Sequence, residues 1–317
     1  MALTLLEQKK LTTDPLTAAV IEEFAEGDIM RNVPFENILG TGVHYNREEI
    51  LPGVGFRGLN EAYSESSGVL NPQSEALKIF GGDLDVDKAL VDMNGLAARM
   101  AHEKMKIKNL RLTWELNFIK GDSSIDPRQF DGLQRRVTGS QLVLNSATAA
   151  VLSLSKLDQL VSQVESPTHI IMSRRMRDRM TAAARTTGVT GFVMYSQNPM
   201  AGAEATNYIG QQQAYYNGLP ILIDSLSNPI LPFTETSTDG SSSTACTSIY
   251  VVSFGERMLC GIQGAVGGTY GIGVTDLGEL NVKPVYRTRV DWYSSIAIYN
   301  GWSVARLANI IDGAVVA

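Results

Sequence analysis

The stretch DVDKALVDMNGLAARMAHEKMKIKNLRLTWELNFIK, residues 85–120, decides the fold of this chain. It contains no proline and a single glycine, Gly95. Two polar positions, Lys104 and Arg111, interrupt an apolar stripe, and their aliphatic stems can still cover apolar surface. The stripe recurs at helical spacing and comprises Leu90, Met93, Ala97, Met100, Ile107, Trp114 and Phe118. The sequence therefore predicts one long amphipathic helix.

The ends and the length of this helix can also be predicted. Asp85 and Asp87 suit a helix N-terminus, and Lys120 followed by Gly121 suits a C-terminus. About 33 residues at about 1.5 Å each make a rod of about 50 Å, far longer than a typical globular helix. A coiled coil is the alternative, although the apolar stripe is not a sustained heptad. A long pair of strands is the surface on which such a rod can lie.

The segment PVYRTRVDWYSSIAIYN, residues 284–300, predicts that long strand. Tyr286, Thr288, Val290 and Trp292 share one face, and charged residues alternate with them on the other. Some 15 residues at about 3.3 Å each span about 50 Å, which matches the helix. Because this strand comes near the end of the chain, we expect the residues between it and the helix to form an inserted domain.

Composition indicates an ordinary globular protein. The chain has 317 residues, of which 44% are hydrophobic and 19% charged, so the core can be large. No apolar run is long enough to span a membrane, and the first residues do not form a secretory signal. Cys246 and Cys260 are expected to be buried thiols in a reducing compartment.

The charge of the chain is unevenly distributed. Its net charge of -6 argues against a dedicated nucleic-acid binder. Residues 1–92 hold sixteen acidic and seven basic side chains. Two interpretations are open: a solvated acidic face, or an acidic limb that meets a basic surface on another copy of the chain.

The first 82 residues divide into two parts. Residues 14–26 predict a helix with Asp14 as N-cap. In the segments on either side of it, the apolar residues do not recur at helix or strand spacing, and we expect neighbouring subunits to hold these segments. Residues 38–82 are rich in glycine and turn signals and poor in core residues. They predict an extended two-stranded arm, with strands at 43–45 and 75–80. Disorder is the alternative.

The central region has α/β character. It predicts a helix over 153–164, a buried strand over 169–172 and a second helix capped by Ser173 that ends at Gly188. Asn217-Gly218 predicts a hairpin. Residues 248–254 and 257–263 are expected to pair as strands, and residues 264–273 to form a flexible connection.

The sequence lacks the common catalytic and metal-binding motifs. His44, His102 and His169 do not stand at metal-ligand spacing, and no phosphate-binding glycine motif or G-x-S-x-G motif occurs. Four arginines, Arg174, Arg175, Arg177 and Arg179, begin a helix, which favours a solvated face over a phosphate site. The sequence predicts neither a cofactor nor an enzyme. An α/β enzyme with an unrecognised site is the alternative from another class.

Several segments resemble the major capsid proteins of tailed bacteriophages, the shell proteins with the Hong Kong 97-type fold. These are residues 41–85, FDGLQRRV at 130–137, ILPFTET with TSIYVVSFGE at 230–256, and DLGELNVKPVYRTRVDWYSSIAIYN at 276–300. The resemblance runs through nearly the whole chain in the same order.

The resemblance implies an α+β architecture in five parts. These are an N-arm (1–37), an extended E-loop hairpin that overlaps the adjacent subunit (38–86), a peripheral domain with the long spine helix (87–137), an inserted α/β axial domain (138–275), and the peripheral return strand with the C-terminal segment (276–317). It also implies hexamers and pentamers that close into an icosahedral shell around double-stranded DNA, without sequence-specific DNA binding. An encapsulin-type nanocompartment that encloses enzyme cargo is the alternative.

The resemblance carries further expectations about partners. We expect assembly in the host bacterial cytoplasm into a virion, with a separate scaffold protein and a portal, and without cleavage, a membrane or a cofactor. A decoration protein is a further candidate partner. The arm contains only Lys78, near its base, which predicts a shell without covalent cross-links. The candidates for contacts between subunits are Arg47, Glu48, Glu49, Arg57 and Glu61 in the arm, and Asp126 and Arg128 in a loop near three-fold contacts.

Overall fold

A computed structural model describes residues 2–11, 15–185, 193–196, 213–224, 229–237 and 245–316. Its α-helices in those residues are α1 (Leu5–Leu11), α2 (Pro15–Phe24), α3 (Asp28–Asn32), α4 (Lys88–Asn94), α5 (Leu96–Lys120), α6 (Leu133–Arg136), α7 (Leu154–Ser162) and α8 (Arg174–Ala184).

The strands of the same residues are, in chain order, β1 (Leu3–Thr4), β2 (Pro34–Asn37), β3 (Gly42–Ile50), β4 (Val69–Ala76), β5 (Lys78–Asp87), β6 (Leu142–Leu144), β7 (Ala150–Ser153), β8 (His169–Met172), β9 (Val193–Ser196), β10 (Gln213–Tyr216), β11 (Leu219–Ile223), β12 (Cys246–Val252), β13 (Leu259–Gln263), β14 (Ala265–Val266), β15 (Thr269–Tyr270), β16 (Ile272–Glu279), β17 (Val285–Ile298) and β18 (Val304–Val316).

The first sheet is built around β17, which confirms the predicted long strand. Its order is β1-β2-β13-β17-β16, and β5 pairs with β17 along ten residues, from Asp87 opposite Val285 to Lys78 opposite Ser294. Thr288, Val290 and Trp292 are buried on one face, as the alternation predicts. The long strand pair on which α5 packs is therefore β5 with β17.

The spine helix is shorter than predicted. Residues up to Asp87 belong to β5, and Asp87 Oδ1 caps α4 by accepting from the Ala89 backbone N–H at 2.8 Å. Gly95, with a φ of 76°, separates α4 from α5. The C-terminal part of the stripe is buried, whereas Met93 and Met100 are exposed. The prediction of one helix over 85–120 is wrong because acidic residues at a strand end and at a helix cap look alike in sequence.

The N-terminal segment is buried in the core of its own chain. Ile29, Met30, Val33 and Phe35 are at most 1% exposed and pack with α5 and the first sheet. The prediction that neighbouring subunits must hold this flank is wrong, because a five-residue helix and a four-residue strand are too short to show a period. The predicted cap of α2, Asp14, lies outside the described residues.

An aromatic cluster joins the spine helix to the first sheet. The ring of Trp114 on α5 stacks on Phe118 at 5.3 Å and on Trp292 of β17 at 5.6 Å. Phe35 of β2 contacts both tryptophans, at 5.6 and 5.2 Å. Trp114 Nε1 also donates to Ser294 Oγ at 3.1 Å. Because these rings come from three distant parts of the chain, they fix the helix, the strand and the N-terminal segment to one another.

The second sheet has the order β6-β18-β12-β8-β11-β10-β9, with β7 also paired to β18. Helices α7 and α8 cover it through a core that includes Leu157, Leu160 and Met176. The Ser173 cap is confirmed, since Ser173 Oγ accepts from the Met176 N–H at 3.3 Å. The hairpin is confirmed too, with positive φ at Asn217 and Gly218. Gly188 lies outside the described residues.

Two predictions about the strands after residue 245 are wrong. The strands β12 and β13 do not pair with each other: β12 lies in the second sheet and β13 in the first. Both are fully buried, so neither shows the alternation that distinguishes sheet faces. The predicted flexible connection contains the hairpin β14–β15, which turns at Gly267 and Gly268 with φ of 60° and 89°.

The end of the chain returns to the second sheet. Strand β18 pairs with β12, β6 and β7, whereas the sequence-based boundaries group it with the return strand β17. The five domain boundaries stay a prediction.

Candidate functional site: an arm with a fixed base and an apolar tip

The strands β3 and β4 form the two-stranded arm that the sequence predicts, but the second strand lies earlier than the predicted 75–80, because residues 78–80 belong to β5 and pair with β17. They pair in antiparallel register from Gly42 opposite Ala76 to Ile50 opposite Val69, and neither strand pairs with another sheet. Residues 51–68 connect them and are all exposed. The arm therefore extends beyond the cores of its own subunit.

The tip of the arm is apolar. Val54, Phe56 and Leu59 are at least 97% exposed, and Leu51 and Tyr63 are about 70% exposed. Large apolar side chains at this density on an exposed surface mark a site of interaction. The described residues form three buried apolar clusters, and the tip residues belong to none of them. The tip is therefore the strongest candidate for a contact surface.

Polar contacts shape the tip locally. Arg57 lies over the Tyr63 ring at 5.0 Å and donates to the Glu61 carbonyl oxygen at 3.0 Å. The Glu61 carboxylate accepts from the Gly58 backbone N–H at 2.8 Å. The structure thus brings the predicted residues Arg57 and Glu61 together within one turn of the arm.

The base of the arm is fixed to its own subunit. Tyr45 Oη and Arg47 Nε both donate to the Ile298 carbonyl oxygen, at 3.0 and 2.8 Å. On the other strand, Arg136 pairs with both oxygens of the Glu75 carboxylate, and its Nη2 lies 2.8 Å from Glu75 Oε2. Burial raises the pKa of Tyr45. These contacts set the direction in which the arm leaves the subunit.

An ion-pair ladder continues from the base along β5 and β17. Arg287 pairs with Asp85, and Arg289 with Asp83, each through an Nε to Oδ1 distance of 2.6 Å. The hydrogen bond from Arg289 holds the pKa of Asp83 below its ordinary value, and that from Arg287 does the same for Asp85. Both pairs lie at the surface, where an ion pair contributes little to the stability of the fold. Their main effect is therefore to fix the register of β5 against β17.

The other predicted contact residues lie apart from the tip. Arg47 is engaged at the base, Glu48 is exposed on β3, and the side chain of Glu49 lies outside the described residues. Asp126 Oδ1 accepts from the Arg128 backbone N–H at 3.0 Å, and the Arg128 side chain is exposed. Their contacts with other subunits stay predictions.

Sequence reasoning missed the apolar tip residues and the Arg136–Glu75 pair. A phenylalanine and two aliphatic residues in a glycine-rich stretch were a signal for the tip. The pair joins residues 61 positions apart and left no signal.

A groove lies between α2, α5 and the first sheet. Its volume is about 370 Å³, and apolar side chains such as Leu84, Met100 and Val274 form most of its wall. Its carboxylates are paired: Glu23 lies 3.4 Å from Lys104 Nζ, and Glu103 lies 3.0 Å from Arg99 Nε. Within the described ranges, His, Cys, Asp and Glu side chains form no group of three or more that could hold a metal ion.

The basic helix start and the buried histidine have structural contacts. Arg175 and Arg179 both pair with Asp312 of β18. His169 packs on Phe254, and its burial lowers its pKa to about 4, so the ring is neutral. None of the helices in the described part of the chain is long and apolar enough to cross a membrane.

The fold of this chain is similar to that of several solved structures. No protein-family model and no curated protein matches the sequence. The holo-SrpI encapsulin complex from Synechococcus elongatus PCC 7942 matches with a TM-score of 0.63 and 16% identity, over 89% of this chain and 87% of that chain. A chain of Mycobacterium phage Adephagia matches with a TM-score of 0.59 and 10% identity, over 89% of each chain. The capsid of a native GTA particle matches with a TM-score of 0.58 and 14% identity, over 87% of each chain. The chain has the α+β fold of the Hong Kong 97-type capsid proteins.

Proposed function

We propose that this chain is the major shell protein of a tailed-phage particle, in a structural and non-enzymatic role. Copies assemble as hexamers and pentamers into an icosahedral shell that encloses double-stranded DNA. The observation that carries this proposal is the arm: its base is fixed, and its apolar tip is exposed among the residues that the structure describes. The likeness of the fold to capsid and encapsulin structures supports it.

The energetics favour the tip over the charged candidates as the source of shell stability. Burying one large apolar side chain contributes about 1.5–3 kcal/mol, and the tip offers several of them. An exposed ion pair contributes about 0–1 kcal/mol. Because every copy in a closed shell repeats the same contact, docked tips would stabilise the particle without covalent links. The arm charges would then set register and orientation.

The charge of the chain suits a container for DNA. With a net charge of -6, the wall would not hold phosphates tightly, and a genome could move along it during packaging. On this proposal the particle forms in the host bacterial cytoplasm with a separate scaffold protein and a portal. A decoration protein is a further candidate partner: the phage G assembly of major capsid and decoration proteins matches this chain with a TM-score of 0.52 and 9% identity, over 86% of each chain.

An encapsulin-type compartment is the second candidate. The match to the Synechococcus encapsulin complex, with its TM-score of 0.63, favours it specifically. In both functions the arm would make the same contacts between subunits. The two functions differ in what the shell contains.

Electron microscopy of the purified native protein tests both, with nucleic acid measured on the same fractions. Closed icosahedral particles that hold DNA are the expected result. Particles filled with a protein cargo would transfer the assignment to the compartment. A stable monomer would refute both.

Arg57→Glu is expected to lower particle yield or heat resistance modestly. The change reverses the charge at the tip and removes the contact of Arg57 with the Glu61 carbonyl oxygen. Yield after gradient purification and the melting temperature of particles measure the effect. Arg128→Glu provides a comparison in the other predicted contact region. Unchanged yield and melting would remove Arg57 from the contact residues.

Mature particles boiled in SDS are expected to run as single chains. Lys78, the arm's one lysine, lies at its base, where its Nζ donates to the Pro127 carbonyl oxygen at 2.8 Å. It is therefore engaged in its own subunit and far along the chain from the tip. A ladder of multimers on the gel would contradict this expectation.

A further inference from the structure

Three acidic residues meet where the N-terminal segment, the spine helix and the second sheet come together. Asp28 begins α3, Glu115 lies on α5, and Asp224 follows β11. Glu115 is 2% exposed and Asp224 is 4% exposed, whereas Asp28 lies at the exposed rim of the junction. Ionised carboxyl groups at this depth need partners, since an unpaired buried charge is costly.

Two of the three carboxyl groups have those partners. Asp224 accepts from the Arg174 and Leu231 backbone N–H groups, at 3.0 and 3.4 Å. Asp28 accepts from the Ile223 backbone N–H. The N-terminal segment is thus joined to the end of β11 through Asp28.

Glu115 is only half satisfied. It accepts from the Met30 backbone N–H, but its Oε1 is buried without a hydrogen-bond partner. Arg111, one turn earlier, directs its Nη1 to the Glu23 carbonyl oxygen at 3.0 Å, and the same atom lies 3.6 Å from Glu26 Oε2. The backbone approaches so closely that a β-carbon on Gly27 would collide with Glu115 Oε1.

We propose that this junction is a proton-dependent latch. While Glu115 carries a proton, the segment Asp28–Asn32 closes against α5 and the end of β11; when that proton leaves, the contact loosens. The physical cause is burial: an ionised Glu115 would hold its charge on a buried oxygen that has no hydrogen-bond partner, and the charges of Asp28 and Asp224 would add repulsion. A proton on Glu115 removes that charge. The inference does not depend on what the shell contains.

The charges that face Glu115 determine the direction of the effect. Burial raises its pKa to about 7; Arg111 on the same helix opposes this rise, whereas Asp28 and Asp224 add to it. Burial also raises the pKa of Asp28, against the Ile223 N–H and the charges of Arg31, Arg174 and Arg111. The Glu26 carboxylate faces Arg111, whereas the Glu23 carboxylate pairs with Lys104 and Glu23 offers Arg111 only its backbone carbonyl oxygen.

The sign of the pH dependence follows. The pKa of Glu115 is about 7 in the closed junction and 4.5 when the group is solvated. The closed state therefore binds the proton more tightly, so its stability is fully present below about pH 4.5 and is lost as pH rises through 7.

Hydrogen exchange of the α3 amides measures the latch directly. The Arg31 N–H donates to the Gly27 carbonyl oxygen and the Val33 N–H to the Ile29 carbonyl oxygen, so both report opening of this segment. With the full chain held in one assembly state, their protection, corrected for intrinsic exchange, is expected to fall about tenfold from pH 6 to pH 8.

Glu115→Gln keeps the shape of the side chain and is expected to flatten this dependence. The control is Glu26→Gln, which removes an exposed carboxylate near the same arginine and is expected to keep the tenfold change. An unchanged dependence in Glu115→Gln, or no dependence in the unaltered protein, would overturn the proposal.

Asp28→Asn is a second variant in case Glu115→Gln does not fold. It removes one of the two repelling charges and is expected to move the midpoint of the transition to lower pH. A midpoint that stays where it is would refute the latch.

Discussion

Phe56→Asp is expected to abolish particle formation while the subunit keeps its fold. Phe56 is fully exposed at the tip of the arm and belongs to none of the three buried clusters of the described residues. In a docked tip, the change would remove about 1.5–3 kcal/mol of apolar burial per copy and would place an unpaired charge in the contact, which costs more. The loss is repeated at every subunit of a shell. Sedimentation and electron microscopy measure particles, and circular dichroism measures the fold.

The matched control is Phe56→Leu, which keeps an apolar side chain at the same position and is expected to assemble. Particles formed by Phe56→Asp at the yield of the unaltered protein would refute the tip as a contact surface. Loss of the circular dichroism signal in Phe56→Asp would show instead that the residue acts within its own subunit.

Trp114→Ala is expected to lower the free energy of unfolding of the subunit by about 3–5 kcal/mol. Trp114 is completely buried between α5 and β17, where it stacks on Phe118 and Trp292. Its removal would leave a large cavity and an unpaired Ser294 hydroxyl. Urea denaturation of dissociated subunits measures the loss. A subunit of ordinary stability would be left close to unfolding.

Trp302→Ala is the control for this prediction. Trp302 follows β17, and its side chain is 61% exposed, so its replacement is expected to change the free energy of unfolding by less than about 1 kcal/mol. Equal losses in the two variants would show that the aromatic cluster does not hold the helix on the strand.

The two tryptophan variants and the two Phe56 variants separate folding from assembly. The aromatic cluster belongs to the first core and decides whether the subunit folds. The arm tip belongs to none of the three clusters of the described residues, and by our proposal it decides whether subunits associate. A single chain therefore carries the two properties in different residues.

Local chemistry made part of the fold predictable. Ser173 as a helix cap, the Asn217-Gly218 hairpin and the alternation along β17 depend on neighbouring residues, and all three are confirmed. The low core content of residues 38–82 likewise predicted an arm, because a segment that cannot bury its side chains must extend or find a partner. The resemblance of whole segments added the order of the parts.

By itself, the sequence determined the elements whose cause is local: the caps, the turns, the long strand and the buried C-terminal part of the spine helix. Three other features are evident in the three-dimensional structure alone. Gly95 interrupts the helix, β12 and β13 lie in different sheets, and the N-terminal segment enters the core. The same is true of the ion pair between Arg136 and Glu75 and of the buried junction at Glu115. Each of these depends on residues that are distant in the chain and adjacent in space, and a contact of that kind leaves no period or spacing along the sequence.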